Sequence, residues 1–582
     1  MKRWLVLGLA ILLPAIILGQ NTKLAPELKQ SSSDQMVSVI VQYKSIPGVV
    51  HQNRIQARSG RVGAQLGLIN SLQAQVPAGS LASLSGDADV AYISPDRPVR
   101  SHLNNAAPAV LANYAWGIGL SGTRVGVAVI DSGIHEVDDV RQTTGTTRLT
   151  YSFDFAGDGL DDGYGHGTHV AGIIGGNGID SSCSTCNVTI KGIAPNVDLI
   201  SLRVLNNDGV GYESAVIQAI QAAIQMKSTY NIRVINLSVG RPVFESYKLD
   251  PLCQAVEQAW RAGIVVVVSA GNDGRDNTFG TNGYGMIEAP GNDPFVITVG
   301  AMNTKGTGDR ADDVMTSYSA KGPTVIDHIV KPDLVAPGNR IVSLYEPGQL
   351  EAQYPQNRVP LSYYQNTIST EPSQSYFVLS GTSMATAMVS GAVALMVQQD
   401  PTLTPDQVKA RLMKTAYKNL PRYTTVTEDG VTYNMQSDIF TVGAGYLDVQ
   451  AALMNKDRAA GAAKSPTAYY DATSGNVYFL ADLQTPWGQA AYWSKLAVSG
   501  NSAMWGSSVV WGGDGFLANS AMSGTSAMWG SSAMWGSSAC WGSSAMWGSS
   551  AMWGSSAMWG SSAMWGSSAM WGSTAVMING EN

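Results

Sequence analysis

Residues 125–133 read VGVAVIDSG, an apolar run that ends on an acid, Asp131, and then turns through Ser132 and Gly133. The run shows no polar alternation, so a strand formed there is covered on both faces. Further runs of the same texture are VDLISLRVL (197–205), VINLSVG (234–240), GIVVVVSAG (263–271) and PFVITVGA (294–301), separated by helical segments between residues 106 and 455. The pattern predicts an α/β domain, a parallel sheet with helices on both faces. Catalytic groups in such sheets sit just past the carboxyl ends of the strands, so the residues that follow each run carry the chemistry.

Asp131 ends the first run, where burial is costly unless something pairs with the acid; alone it reads better as an acidic turn residue at a strand end. In GYGHGTHVAGIIGG (163–176), His166 opens a helix of small residues that can lie close to a sheet. His166 and His169 stand three apart, which also fits a metal pair or a polar helix start, although the HExxH form is absent. In FVLSGTSMATAMVSGAVALMV (377–397), Ser383 lies between an extended segment and a long apolar helix. A hydroxyl there is commonly a cap, but Gly381 and the small residues after it suit an Oγ beside a cleft. Asn272, in VVSAGNDG (267–274), occupies a Gly-rich turn, where Asn is usually conformational.

Taken singly, each site is ambiguous. Together, the motifs VIDSGI, HGTHVAG, AGN and SGTSMA, with Asp, His and Ser in that chain order, resemble those of the subtilases, the subtilisin-like serine peptidases, over residues 116–453. The resemblance implies a subtilisin-like fold, with Ser383 as nucleophile, His166 as general base and then acid, and Asp131 orienting the imidazole. It puts Asn272 and the Ser383 N–H in an oxyanion hole. It makes Ser238, Val239 and Gly240 an edge that pairs with an extended substrate, and Ser269, Ala270 and Gly271 the wall of the pocket for the residue before the cut. Asp273 then stands near the pocket mouth. A looser match over MIEAPGNDPFVITVGA (286–301) puts Glu288 near its floor, favouring a basic or large polar residue. Two departures stand out: Ala387 replaces a family proline, and the loop holding Cys183 and Cys186 is long. Neither removes a catalytic group.

The chemistry needs no cofactor. The acidic loop DFAGDGLDDG (154–163) is the candidate for structural calcium, or else it positions His166. The net charge of −7 and a pI near 5.4 argue against nucleic acid as a partner and leave protein or peptide substrates.

Lys2 and Arg3 precede an apolar run over residues 4–18, too short to span a bilayer, so residues 1–19 read as a cleaved signal peptide and the protein as secreted, extracellular or at the cell surface. In an exported chain with four cysteines, a short-loop disulfide between Cys183 and Cys186 is favoured over a CxxC metal half-site, and Cys253 and Cys540 lack an obvious partner.

The chain's 582 residues exceed one core, so several modules are expected. Residues 20–35 read as a flexible leader. Residues 36–100 read as a small β-α-β-β-α-β module, with strands at 37–43, 68–76 and 90–100 and helices at 51–67 and around Leu81. Standing directly before a subtilase domain (106–455), it looks like the family's propeptide, an intramolecular inhibitor and folding aid, processed near 100–105; an unrelated binding module is the alternative.

Residues 456–480 read as a linker and 481–582 as a Trp-rich tail. From Trp529 to Trp571 the unit AMWGSS recurs every six residues, and Trp487, Trp493, Trp505 and Trp511 keep the same count. Six residues rotate a helix through about 600°, scattering the indoles, whereas an even period on a strand keeps them on one face. A hexapeptide-repeat β tail follows, one that binds a surface, a polymer or itself, or serves as a spacer. The leading reading is a secreted serine endopeptidase acting through an acyl-enzyme and made as a self-processed zymogen. Its rival is a surface- or polymer-binding protein whose peptidase domain is secondary.

Overall fold

The computed structural model describes residues 23–25, 28, 35–96, 106–142, 144–277, 281–421, 423–428, 430–471 and 578–581, with the backbone of short strands between 476 and 517. The signal segment 1–19, the junction 97–105 and the AMWGSS repeats, Cys540 included, lie outside the described residues. The chain divides into two compact units, 1–100 and 101–582.

In the first unit, β1 (Met36–Tyr43), β2 (Arg61–Leu66), β3 (Ser71–Pro77) and β4 (Val90–Pro95) form an antiparallel sheet in the order β2-β3-β1-β4. Burial alternates along β1, which turns Val37, Val39 and Val41 into a core with Leu72, Ala74 and Val76. The helices are Val49–Gln56 and Leu81–Ser85, giving the β-α-β-β-α-β order. Two expectations need correction. The helix expected over 51–67 stops at Gln56, because Ser59 takes a left-handed φ of 59° and residues 61–66 find a partner in β3. The leader is not wholly unstructured: Ala25 N–H donates to Ile93 O at 2.9 Å, and Ile93 N–H to Lys23 O at 2.8 Å, so 23–25 extend the free edge of β4.

The second unit carries an eight-stranded sheet of β5 (Gly126–Asp131), β6 (Leu149–Asp154), β7 (Asp198–Arg203), β8 (Ile232–Leu237), β9 (Val265–Ser269), β10 (Ile297–Asn303), β11 (Val314–Met315) and β12 (Leu334–Pro337). Its order is β11-β10-β9-β8-β5-β7-β6, with β12 also on β10; all pairs are parallel except β10–β11. Every residue of β5 and β9 is buried, so both faces of the sheet are covered, as the unbroken apolar runs require. The helices His166–Gly175 and Thr382–Gln399 pack on each other and on the sheet, and so do Glu213–Met226 and Pro251–Arg261. Thr382–Gln399 is buried from Thr382 through Val397, an apolar helix passing through the core.

Sheet order fixes where a site can lie. The chain builds outward from β5 in both directions, through β7 and β6 on one side and β8, β9 and β10 on the other. The crevice at the carboxyl end of β5 is thus the switch point of the sheet, and Asp131 is its last residue.

Within the expected linker 456–480, residues 463–468 lie against the domain. Ala463 N–H donates to Asp406 Oδ1 at 2.6 Å, Ser465 N–H to Pro294 O at 2.8 Å and Ala468 N–H to His328 O at 2.7 Å, with all three residues buried. Thr467–Asp471 and Asn476–Leu480 then pair as antiparallel strands. Small side chains let this stretch lie flat on the domain, which is what its Ala-rich composition provides.

Candidate active site

His166 is the first residue of its helix, and the helix must start almost in contact with the end of β5. A Cβ on Gly167 would lie 2.2 Å from Gly133 O and 3.2 Å from Asp131 Cβ, so only glycine permits the approach. As a result His166 Nδ1 stands 2.7 Å from Asp131 Oδ1, with both side chains buried. Ser132 N–H donates to the same Oδ1 at 2.8 Å.

Asp162, in the acidic loop, braces this junction. One of its oxygens accepts from Ser132 Oγ and Gly165 N–H, each at 2.8 Å; the other accepts from Thr168 N–H at 2.8 Å and Thr168 Oγ at 2.7 Å. Ser132 Oγ in turn accepts from Gly167 N–H at 2.9 Å. Burial raises the Asp162 carboxyl pKa, against the opposing pull of these donors. The loop's carboxylates are largely committed in this way: Asp154 accepts from the N–H groups of Ala156, Gly157 and Gly159. The convergent set of potential metal ligands is instead His135, Asp161 and Glu346. His135 already joins the two acids there, Nδ1 at 2.8 Å from Asp161 and Nε2 at 3.2 Å from Glu346, and an imidazole is a poor calcium ligand.

His169 serves the fold. Its Nε2 lies 3.1 Å from Ile341 O and 3.2 Å from Phe377 O, tying together two strands, and burial followed by the proximity of His166 pushes its pKa down to about 3. Since His166 faces Asp131 and His169 faces these carbonyls, the two rings do not form a metal pair.

Ser383 is the second residue of Thr382–Gln399, so its N–H is among the first four that the helix itself leaves unpaired. Gly381 caps that helix at φ 148°, a conformation reserved for glycine, and delivers the chain into it from the strand Pro372–Leu379. Ser383 Oγ donates to Ser238 O at 3.4 Å, and Ser238 Oγ donates to Ser383 O at 3.1 Å, so the serine sits against the edge 238–240. Asn272 Oδ1 accepts from Thr382 N–H at 2.9 Å and Thr382 Oγ at 3.1 Å. That pairing ties the Asn272 side chain to the residue that precedes Ser383.

The two proposed pocket edges converge on Glu288. A Cβ on Gly240 would lie 2.2 Å from Glu288 Oε2, and one on Gly271 would lie 2.8 Å from Glu288 Cγ, while Glu288 N–H donates to Ala270 O at 3.1 Å. Glu288 keeps partial solvent access. Burial, then Asp273, raises its carboxyl pKa well above the usual range; burial and Asp276 raise that of Asp273 to about 6. Beyond Gly240, an apolar cavity is lined by Tyr212, Val216, Val239, Pro242, Phe244 and Leu252. Sequence reading missed it, because its lining comes from separate elements, and the exposed Tyr212 before a helix was the one local signal.

Cys183 and Cys186 form a disulfide, and their loop pairs with the chain at Tyr364–Asn366 through Asn187 N–H to Tyr364 O and Asn366 N–H to Thr185 O. Cys253 is a free, buried thiol whose pKa burial raises. Ala387 is buried within the central helix and supplies a main-chain N–H that proline would lack.

Residues 122–445, more than half of the chain, match the model of the Subtilase family. The chain is 34% identical over 366 residues to "Serine protease AprX" of Bacillus subtilis, covering 61% of this chain and 76% of that protein. It is 33% identical over 346 residues to "Subtilisin DY" of Bacillus licheniformis, covering 59% and 96% respectively, and 29% identical over 455 residues to "Subtilisin E" of Bacillus subtilis, covering 78% and 98%. The chain belongs to the subtilase family and is a subtilisin-like serine endopeptidase.

Proposed function

We propose that Asp131, His166 and Ser383 are its catalytic triad. The observation that carries this is the 2.7 Å contact of His166 Nδ1 with Asp131 Oδ1 at the switch point of the sheet. Nδ1 so engaged leaves Nε2 as the basic nitrogen. Ser383 Oγ attacks the scissile carbonyl as His166 takes its proton. Asp131 holds the ring and stabilises the imidazolium, and His166 then protonates the leaving amine. The oxyanion is met by the Ser383 N–H, at a helix N-terminus, and by Asn272 Nδ2. Water resolves the acyl-enzyme by the same steps. Ser238, Val239 and Gly240 pair with the substrate main chain, which tolerates many sequences. Glu288, between Gly240 and Gly271, favours a basic or large polar residue before the cut.

The protein acts outside the cell and is made as a self-processed zymogen. An apolar N-terminal run behind Lys2 and Arg3, and a small β-α-β-β-α-β unit directly before the peptidase domain, support that reading. The unit of residues 36–100 acts as intramolecular inhibitor. No cofactor enters the chemistry.

The test is reaction of the processed protein with a fluorophosphonate and with denatured casein, Ser383→Ala being the control. Wild type that neither labels nor cleaves, while processed, would sink the assignment. In a series of peptide amides, Glu288→Gln should lower kcat/KM for Arg before the cut by about 10- to 100-fold relative to Phe. An unchanged ratio removes Glu288 from the pocket.

A further inference from the structure

The last 88 residues, 495–582, contain three charged side chains, Lys495, Asp514 and Glu581. Glu581 is buried, 1% exposed, on the peptidase domain. Its Oε1 accepts from Ser317 N–H at 2.8 Å, from Arg275 Nη2 at 2.9 Å and from Ser317 Oγ. Its main chain is bracketed by a single side chain: Glu581 N–H donates to Asn339 Oδ1, and Asn339 Nδ2 donates to Glu581 O, each at 2.8 Å. One asparagine side chain thus meets both main-chain polar groups of Glu581.

The preceding residues are held as specifically. Arg340 Nη1 donates to Asn579 O at 3.2 Å and Asn357 Nδ2 to Ile578 O at 3.3 Å, while Ile578 joins the domain's apolar core. Gly580 has φ +81°, and a Cβ there would lie 2.4 Å from Arg340 Cγ and 2.5 Å from Ser380 Oγ. The Glu581 carboxylate and the Ile578 side chain thus meet partners that a Gly-, Ser- and Trp-rich spacer sequence would not satisfy.

We propose that the groove formed by Arg275, Ser317, Asn339, Arg340 and Asn357 is a binding site for a peptide of the form Ile-Asn-Gly-Glu, and that the chain's own residues 578–581 are its ligand. The chain is then held on this domain at residues 463–468, before the Trp-rich tail, and again at 578–581. The groove also adjoins the turn that presents Ser383: Arg340 N–H donates to Ser380 Oγ at 2.8 Å and Gly381 N–H to Gly338 O at 2.8 Å. The far end of the chain therefore braces that turn.

The experiment removes residues 578–582 and adds back a fluorescein-labelled peptide of residues 573–582, read by anisotropy on enzyme inactivated with a fluorophosphonate. The truncated protein should bind the peptide saturably below about 0.1 mM, and the full-length protein at least about tenfold more weakly, because its site is filled from within. Glu581→Gln in the peptide should weaken binding by about tenfold or more, since it removes a charge-assisted pair with Arg275. Gly580→Ala should weaken it at least as much. Should truncation unfold the protein, hydrogen exchange on full-length Asn339→Ala decides instead: the amides of Ser317 and Glu581 should exchange at least about tenfold faster. The proposal is overturned if folded, fluorophosphonate-reactive truncated enzyme does not bind the peptide, if the Gln peptide binds as tightly, or if exchange in Asn339→Ala is unchanged. Failure of fluorophosphonate labelling would touch the Ser383 assignment alone.

Discussion

Two buried charged clusters lie in the same domain and are wired differently. At Lys331, Asp333 and Lys409 every acceptor is filled. Asp333 Oδ2 accepts from Lys331 Nζ at 2.7 Å and Thr298 N–H at 2.8 Å; Oδ1 accepts from Ser465 Oγ at 2.5 Å and lies 3.1 Å from Lys409 Nζ. Lys409 also donates to Pro294 O and Val296 O. At Asp131, by contrast, Oδ1 takes both His166 and Ser132, while Oδ2 is buried with no hydrogen-bond partner. Ser383 Oγ has only a long bond, 3.4 Å, to Ser238 O. The cluster at Asp333 saturates its carboxylate, whereas Asp131 keeps one oxygen unfilled. On the triad proposed above, that oxygen is capacity held in reserve for the charge that appears on His166 during catalysis.

The sharpest way to break this comparison is to neutralise each acid. Asp131→Asn should leave folding intact and lower kcat by about 10⁴-fold, as loss of the orienting carboxylate does in serine peptidases. Asp333→Asn should do the reverse. It leaves the buried Lys331 ammonium without its carboxylate and removes the partner of Lys409, and should destabilise the domain by about 3–5 kcal/mol, with kcat per folded molecule unchanged. Denaturant midpoints and active-site titration on both variants separate the outcomes. A stable, inactive Asp333→Asn, or an unfolded Asp131→Asn, would erase the distinction.

Asn272→Ala tests the reserve from the acceptor side. Its Nδ2 has work only in the transition state, so kcat should fall by about 10²- to 10³-fold, the range found for the equivalent donor in subtilisin, with KM little changed. A rise in KM at constant kcat would mean that Asn272 binds the ground state.

The residues of the proposed triad are marked in the sequence and those of the Lys331–Asp333–Lys409 cluster are not, for a physical reason. Asp131, His166 and Ser383 each sit at a boundary that local pattern reveals, a strand end or a helix start, and glycines mark where backbones must approach. Lys331, Asp333, Lys409 and Ser465 carry no such local mark. Lysines within polar text read as surface, and Ser465 lay in a stretch expected to be a linker. Asp162 was half legible: the acidic loop was noticed, but its grip on Ser132 and Thr168 depends on pairing across the turn. The helix expected over 51–67 failed similarly, since only the sheet partner β3 makes 61–66 a strand. Residues 578–581 looked like the end of a repeat because their partners come from four distant segments.

The smallest expected effect concerns the sign of a pH dependence. Burial lowers the Lys409 pKa to about 7; Lys331 adds to the effect and Asp333 opposes it. Burial raises the Asp333 carboxyl pKa, but Lys331 and Lys409 together outweigh it and hold it below the usual range. With Lys409 neutral the cluster carries one positive and one negative charge. Between about pH 7 and the ordinary lysine range near 10, the unfolded chain binds a proton on Lys409 that the folded chain does not, so stability rises with pH there. One such proton gives a slope of about 1.4 kcal/mol per pH unit, and Lys321 and Lys418, lowered by burial to about 8 and about 7, act in the same direction. Lys409→Met fills the same volume without a proton to bind. Denaturant midpoints of inactivated enzyme at several values between pH 7 and 9.5 should climb less steeply in Lys409→Met than in wild type, and the two should differ most at the acid end. Equal slopes would mean that Lys409 stays charged in the fold, and that the saturated cluster holds a net positive charge which its carbonyl oxygens alone offset.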